Sequence, residues 1–276
     1  MSFLLEDGIN YNMSACVHVI LYEKTRYMMT ILYCTEQYYP LQTGTATADY
    51  GLTLALSQAG YEVYVITSNM FNHQAILREG PKHSVLSGGL TRQATQIAPR
   101  LFVLDFYIAM GNGGWQGELQ AYSDFALSFE CDLLVNVSLS TWNTDFICDK
   151  LPQAKAKRKI LRTHGEYAFM SICPGWKRFL KDALKFVLTR LHIMKGGTYP
   201  WWLHQKFMRS IKNYDKVFFL HEGSHGYTYL KPYCSEVDIL PNGVFEKDIC
   251  APKKLIKSLV SDAHNNTTTQ PSRLIA

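Results

Sequence analysis

The chain lacks most of the short signatures that would name a chemistry outright. Its seven cysteines, at 16, 34, 131, 148, 173, 234 and 250, include no C-x-x-C pair. An odd, scattered set argues against a disulfide framework and a zinc knuckle, and reads as buried free thiols in a reducing compartment. No G-x-S-x-G nucleophile elbow occurs. No G-x-G-x-x-G turn follows the first apolar run, and the second apolar run ends in Thr67-Ser68 rather than an acidic residue. Both absences count against a dinucleotide-dependent oxidoreductase. Glu6, Asp7, Glu23, Lys24 and Arg26 interrupt the first thirty residues, so no signal-peptide core is expected there. Nor does any run approach the ~18 apolar residues that span a bilayer. Internal repeats are absent.

What is present describes a globular protein. Hydrophobic residues make up 47% and charged residues 18% of the 276, enough apolar material for a sizeable core. The net charge of +5 favours an anionic contact without naming it.

Along the chain, short apolar runs alternate with helical patterns. Residues 29–34 read as a buried strand, and a loop with Pro40 leads to Gly44. A helix is expected over 45–59, with Ala48, Leu52, Leu56 and Ala59 on one face. A second strand follows over 62–67, completing a βαβ unit. A polar, irregular stretch is expected up to Pro99. Strands then follow over 100–104, 131–137, 159–163, 216–220 and 237–240. Helices fall over 115–129, 176–194 and 200–213, with a short one from Ser224. This alternation predicts a Rossmann-like, doubly wound, mostly parallel α/β sheet with helices on both faces. Ligands of such sheets sit beyond the carboxyl ends of the strands. The loop ending at Gly44, the His164-Gly165 turn and the Pro241-Asn242-Gly243 turn all fall there.

Those residues carry a resemblance. Ile31 to Pro40, Gly44 and the helix ending Ala59-Gly60-Tyr61-Glu62-Val63 look like the opening of the retaining glycosyltransferases of family 4, which have the two-domain GT-B fold. The strand ending in His164-Gly165, and the passage from Tyr214 to Pro241-Asn242-Gly243-Val244, resemble later motifs of the first domain of those enzymes. The resemblance covers about residues 29–245. It implies an N-terminal, acceptor-side domain over 29–250. It also implies transfer of a sugar from a nucleotide-sugar donor to a glycan or lipid-linked acceptor, with retention. Three departures stand out: Thr43-Gly44-Thr45 replaces a glycine pair, residues 1–28 have no counterpart, and no donor-binding domain follows. We therefore expect 1–28 to be a mis-called start, with Met28-Met29 the true one, and 251–276 to be a linker and truncated start of the donor-binding domain. The rival expectation is a non-catalytic remnant, or a subunit needing a separate donor-binding domain.

Within this frame the resemblance gives His164 a catalytic role facing the donor sugar; the competing reading is a structural, hydrogen-bonded histidine. Gly44 and Thr45, opening a helix, suit a departing diphosphate, or form a simple tight turn. Asn242 and Gly243 border the cleft and serve their turn first. Glu166, His221 and Glu222 are acceptor-side candidates or solvated loop residues. The resemblance implies no metal and no cofactor beyond the nucleotide-sugar co-substrate. Helix 176–194 sets Lys177, Arg178, Lys181, Lys185 and Arg190 against an apolar stripe. That suits an anionic membrane surface as well as an ordinary core-facing helix. Nucleic acid is not expected as a partner. The expected location is cytoplasmic, on the inner face of the membrane if the helix docks.

Overall fold

The computed structural model describes residues 29–69, 78–111, 114–164 and 201–242, with single positions between 180 and 193. All of them belong to one of two compact units, Ala15–Asn242. The expected segments 1–28 and 251–276, with Gly165, Glu166, Gly243 and most of helix 176–194, lie outside the described residues.

The fold is α/β. The first strand, β1 (Thr30–Cys34), leads to α1 (Gly44–Gln58) and β2 (Glu62–Ser68). Next come β3 (Lys82–Ser87), β4 (Leu90–Ala98), β5 (Leu101–Phe106), and the small pair β6 (Ile108–Gly111) and β7 (Gly114–Gly117). Helix α2 (Leu119–Ser128), β8 (Leu133–Val137), α3 (Trp142–Asp145) and β9 (Arg158–Arg162) follow. The remainder is α4 (Trp201–Ser210), β10 (Lys216–Phe219), α5 (His225–Leu230) and β11 (Val237–Ile239).

Nine strands form one sheet in the order β11-β10-β9-β8-β1-β2-β5-β4-β3. The first seven are parallel, and β4 and β3 run antiparallel at the edge. Alternation along β1 sends Ile31 and Tyr33 into one core layer and Leu32 and Cys34 into the other. Covering both faces in this way requires the continuous apolar run seen there. The chain winds outward from β1 through β2 and β5, then returns beside β1 at β8 and winds the other way. The topological switch point therefore lies between β1 and β8.

Two expectations are corrected. The stretch before Pro99 is a hairpin, β3–β4, joined by Gly88 (φ 56°) and Gly89 (φ 75°). A glycine pair is a strong two-residue hairpin signal; it went unread because Lys82, His83 and Ser84 are exposed and polar, as edge strands often are. The helix expected from Trp115 begins at Leu119, because Gly117 has φ +106° and a Cβ there would lie 1.9 Å from the Tyr107 carbonyl oxygen. Trp115 belongs to β7.

Candidate functional site

The sheet's carboxyl edge at the switch point gathers a buried charged cluster. Asp49, one turn into α1, is fully buried, although it sits in a helix with an otherwise small-residue face. That face differs from the expected one. Ala59 is exposed and Leu52 half-buried, while Asp49, Thr53 and Ser57 point inward. They are tolerated there because each is hydrogen-bonded: Thr53 Oγ1 donates to the Asp49 carbonyl at 2.8 Å, and Ser57 Oγ to that of Leu54 at 2.8 Å.

The Asp49 carboxylate has four donors around it. Tyr33 Oη donates to Oδ1 at 2.7 Å and Thr35 Oγ1 to Oδ2 at 2.7 Å. Arg162 Nη1, on the last residue of β9, also contacts Oδ1, and His164 Nε2 lies 2.7 Å from the same oxygen. Arg162 is 2% exposed and the His164 side chain 5%. Arg162 Nη1 further donates to Tyr33 Oη at 2.8 Å, and Nη2 to Asn242 Oδ1 at 2.9 Å. Burial by itself would raise the Asp49 carboxyl; the hydrogen bond from His164 and the charge of Arg162 more than offset it and hold the group below the ordinary aspartate value. The same burial raises the Tyr33 hydroxyl well above its usual range. The ionised form of the carboxyl under the histidine is therefore the favoured one.

The floor beside this cluster is also polar and buried. Asn143 Nδ2 donates to the Cys34 and Val137 carbonyls, both at 2.8 Å, tying the ends of β1 and β8 together. Ser138 (φ 66°) and Ser140 (φ 62°) follow β8 in left-handed backbone, a conformation that costs energy for non-glycine residues.

On the other side of α1, the helix opens at Gly44 and Thr45. The capping side chain is Thr43, which accepts from the Ala46 N–H at 3.2 Å and donates to Gln37 Oε1 at 2.7 Å. Gly44 is exposed, with open space where a Cβ would be. In the loop below, burial pushes the Glu36 carboxyl up to about 7. Arg78 fixes the same loop, donating from Nε to the Tyr39 carbonyl at 2.6 Å while pairing with Asp105 at 2.5 Å.

The structure thus joins two of the expected residues, His164 and Asn242, through Arg162. Gly44 and Thr45 sit on the helix that carries Asp49. His221 and Glu222 are exposed in the turn after β10, apart from the cluster. Sequence reasoning missed Asp49, Arg162, Tyr33 and Thr35. The available signal was an aspartate at a core-facing helix position and an arginine inside an apolar parallel strand.

One stretch has a metal-binding spacing, since His221-Glu222-Gly223-Ser224-His225 reads H-E-x-x-H. That motif needs both histidines on one helix face. Here Ser224 is the N-cap and α5 begins at His225, so His221 lies outside the helix. Among the described residues no cluster of three His, Cys, Asp or Glu side chains could hold a metal ion. Burial pushes the thiols of Cys34, Cys131, Cys148 and Cys234 up to about 12, so they are inert at neutral pH. No helix among the described residues is long and apolar enough to cross a membrane.

No family model matches the chain, and no curated protein matches it. Among solved structures, it is similar to a sucrose-phosphate synthase from Thermosynechococcus elongatus, at 12% identity and a TM-score of 0.39. The match covers 84% of this chain and 99% of the other. At that level the functional reading rests on the site's own residues.

Proposed function

We propose that residues 29–250 are the acceptor-side, N-terminal Rossmann-like domain of a retaining, family 4 type glycosyltransferase. Its reaction moves a sugar from a nucleotide-sugar donor to a glycan or lipid-linked acceptor. One observation carries this reading: a histidine at the carboxyl end of β9, beside the switch point, is hydrogen-bonded to a buried, ionised carboxylate. Ligands of doubly wound sheets bind at that edge. When the bond to the anomeric carbon breaks, negative charge builds on the departing diphosphate. The amino end of α1, at Gly44 and Thr45, offers backbone N–H groups and the positive end of a helix dipole for it. His164 is assigned to the donor sugar, Asn242 and Gly243 to the cleft wall, and Glu166, His221 and Glu222 to the acceptor side.

The described positions between 180 and 191 support a membrane-bound acceptor. Leu180, Leu184, Val187 and Leu191, spaced four, three and four apart, are all exposed, and Lys181 lies exposed among them. An apolar stripe flanked by lysine fits an anionic bilayer surface.

The test is a transfer assay with labelled nucleotide sugars, using the chain alone and with a donor-binding domain supplied in trans. His164→Ala should lower the rate roughly 10²–10⁴-fold, and the product anomer should match the donor. Wild-type rates from His164→Ala, or an inverted product, would overturn the assignment.

A further inference from the structure

The protons within the charged cluster can be counted. Arg162 Nη1 carries two hydrogens and meets three atoms: Tyr33 Oη at 2.8 Å, Asp49 Oδ1, and His164 Nε2 at 3.0 Å. Tyr33 spends its single proton on Asp49 at 2.7 Å, so its oxygen can only accept from Arg162. The guanidinium–carboxylate contact claims the other Nη1 hydrogen. Nothing remains on Nη1 for the imidazole. His164 Nε2 and Asp49 Oδ1 are 2.7 Å apart, and at that distance a proton must lie between them, or two lone pairs would face each other. The proton therefore belongs to Nε2.

We propose that Asp49 is a positioning residue that holds the proton of His164 on Nε2 and leaves Nδ1, across the ring, as the atom for the substrate. Arg162 is the second half of the device. It balances the carboxylate, occupies the space where Nε2 could otherwise accept, and ties the arrangement to the Asn242 turn through Nη2. Neither Asp49 nor Arg162 touches substrate. Both act through the histidine, much as a buried carboxylate sets the tautomer of an imidazole in other acid–base sites. The assignment of Nδ1 to the donor sugar rests on the proposed glycosyl transfer; the assignment of the ring proton does not.

The experiment is a long-range proton–nitrogen correlation spectrum of the full chain labelled at histidine, with His164→Gln used to identify its signals among the nine histidines. The neutral ring of His164 is expected as the Nε2–H tautomer. In Asp49→Ala, the freed Arg162 Nη1 hydrogen can turn to Nε2, and the proton is expected to move to Nδ1. Asp49→Asn, which keeps an oxygen acceptor, should preserve the wild-type tautomer. An Nδ1–H tautomer in the wild-type chain overturns the proposal, and that measurement needs no variant to fold. An unchanged tautomer in folded Asp49→Ala would equally remove the role given to Asp49. A confirmed Nε2–H ring in a chain that transfers no sugar even with a donor-binding domain supplied in trans would defeat the glycosyltransferase reading and leave the positioning intact.

Discussion

Asp49→Asn offers the sharpest test of how the site is held together. Asp49 is 0% and Arg162 2% exposed, so the substitution leaves a guanidinium buried opposite a neutral amide. Breaking a buried pair from one side costs about 3–5 kcal/mol. For a domain of this size, 1 kcal/mol moves Tm by about 2–4 °C, which places the variant roughly 6–20 °C below wild type. Arg162→Met should cost less, because the Asp49 carboxylate keeps its hydrogen bonds from Tyr33 and Thr35 and its contact with His164. Combining the two changes removes both ions, and the double variant should be more stable than the sum of the single costs predicts, by about 2–3 kcal/mol. Additivity within ~0.5 kcal/mol would refute the pairing as an energetic unit. The acid limb supplies a second check. The folded Asp49 carboxyl lies below its unfolded value, so its stabilisation is present above the unfolded aspartate pKa near ~3.9 and is lost as pH falls through the lower folded value. The gap between wild type and Asp49→Asn in chemical denaturation should therefore be constant above about pH 5 and narrow below about pH 4. A gap that widens in acid contradicts the argument.

Other expectations concern the edges of the site. Glu36 has a raised carboxyl pKa, about 7, so its favourable contribution is complete below its unfolded value and disappears as pH rises through 7; Glu36→Gln should be more stable than wild type by about 1–3 kcal/mol at pH 8 and nearly equal to it at pH 4. Equal stabilities at both pH values would show that the carboxyl is not desolvated. Gly44→Ala places a methyl group in open space, so calorimetry should find stability unchanged or up to about 1 kcal/mol higher. A fall in sugar transfer despite that would point to close approach of a ligand, whereas an unaffected rate would return Gly44 to a plain helix start. Replacing Lys181 and Lys185 by Gln should weaken sedimentation with anionic phospholipid vesicles by roughly 30-fold, at about 1 kcal/mol per lysine; no binding by the wild-type chain would dismiss the membrane surface.

The sheet was legible because buried parallel strands declare themselves. Ile31 to Cys34, Val63 to Ile66 and Leu133 to Val135 are unbroken apolar runs, and the turns after them fall at one edge by topology alone. The β3–β4 hairpin and β7 were not legible by the same pattern. Edge strands face water and owe their hydrogen-bond partners to neighbours that composition does not reveal.

His164 and the Asn242 turn could also be picked out along the chain, one at a strand end and the other in a glycine turn. Their connection could not. Asp49 and Arg162 are 113 positions apart, and each in isolation is a charge in the wrong kind of segment. Only the tertiary fold, which brings Asp49 of α1 to Tyr33 of β1 and Arg162 of β9, turns those two anomalies into one satisfied pair, because desolvation makes a buried charge tolerable solely where its partners already stand.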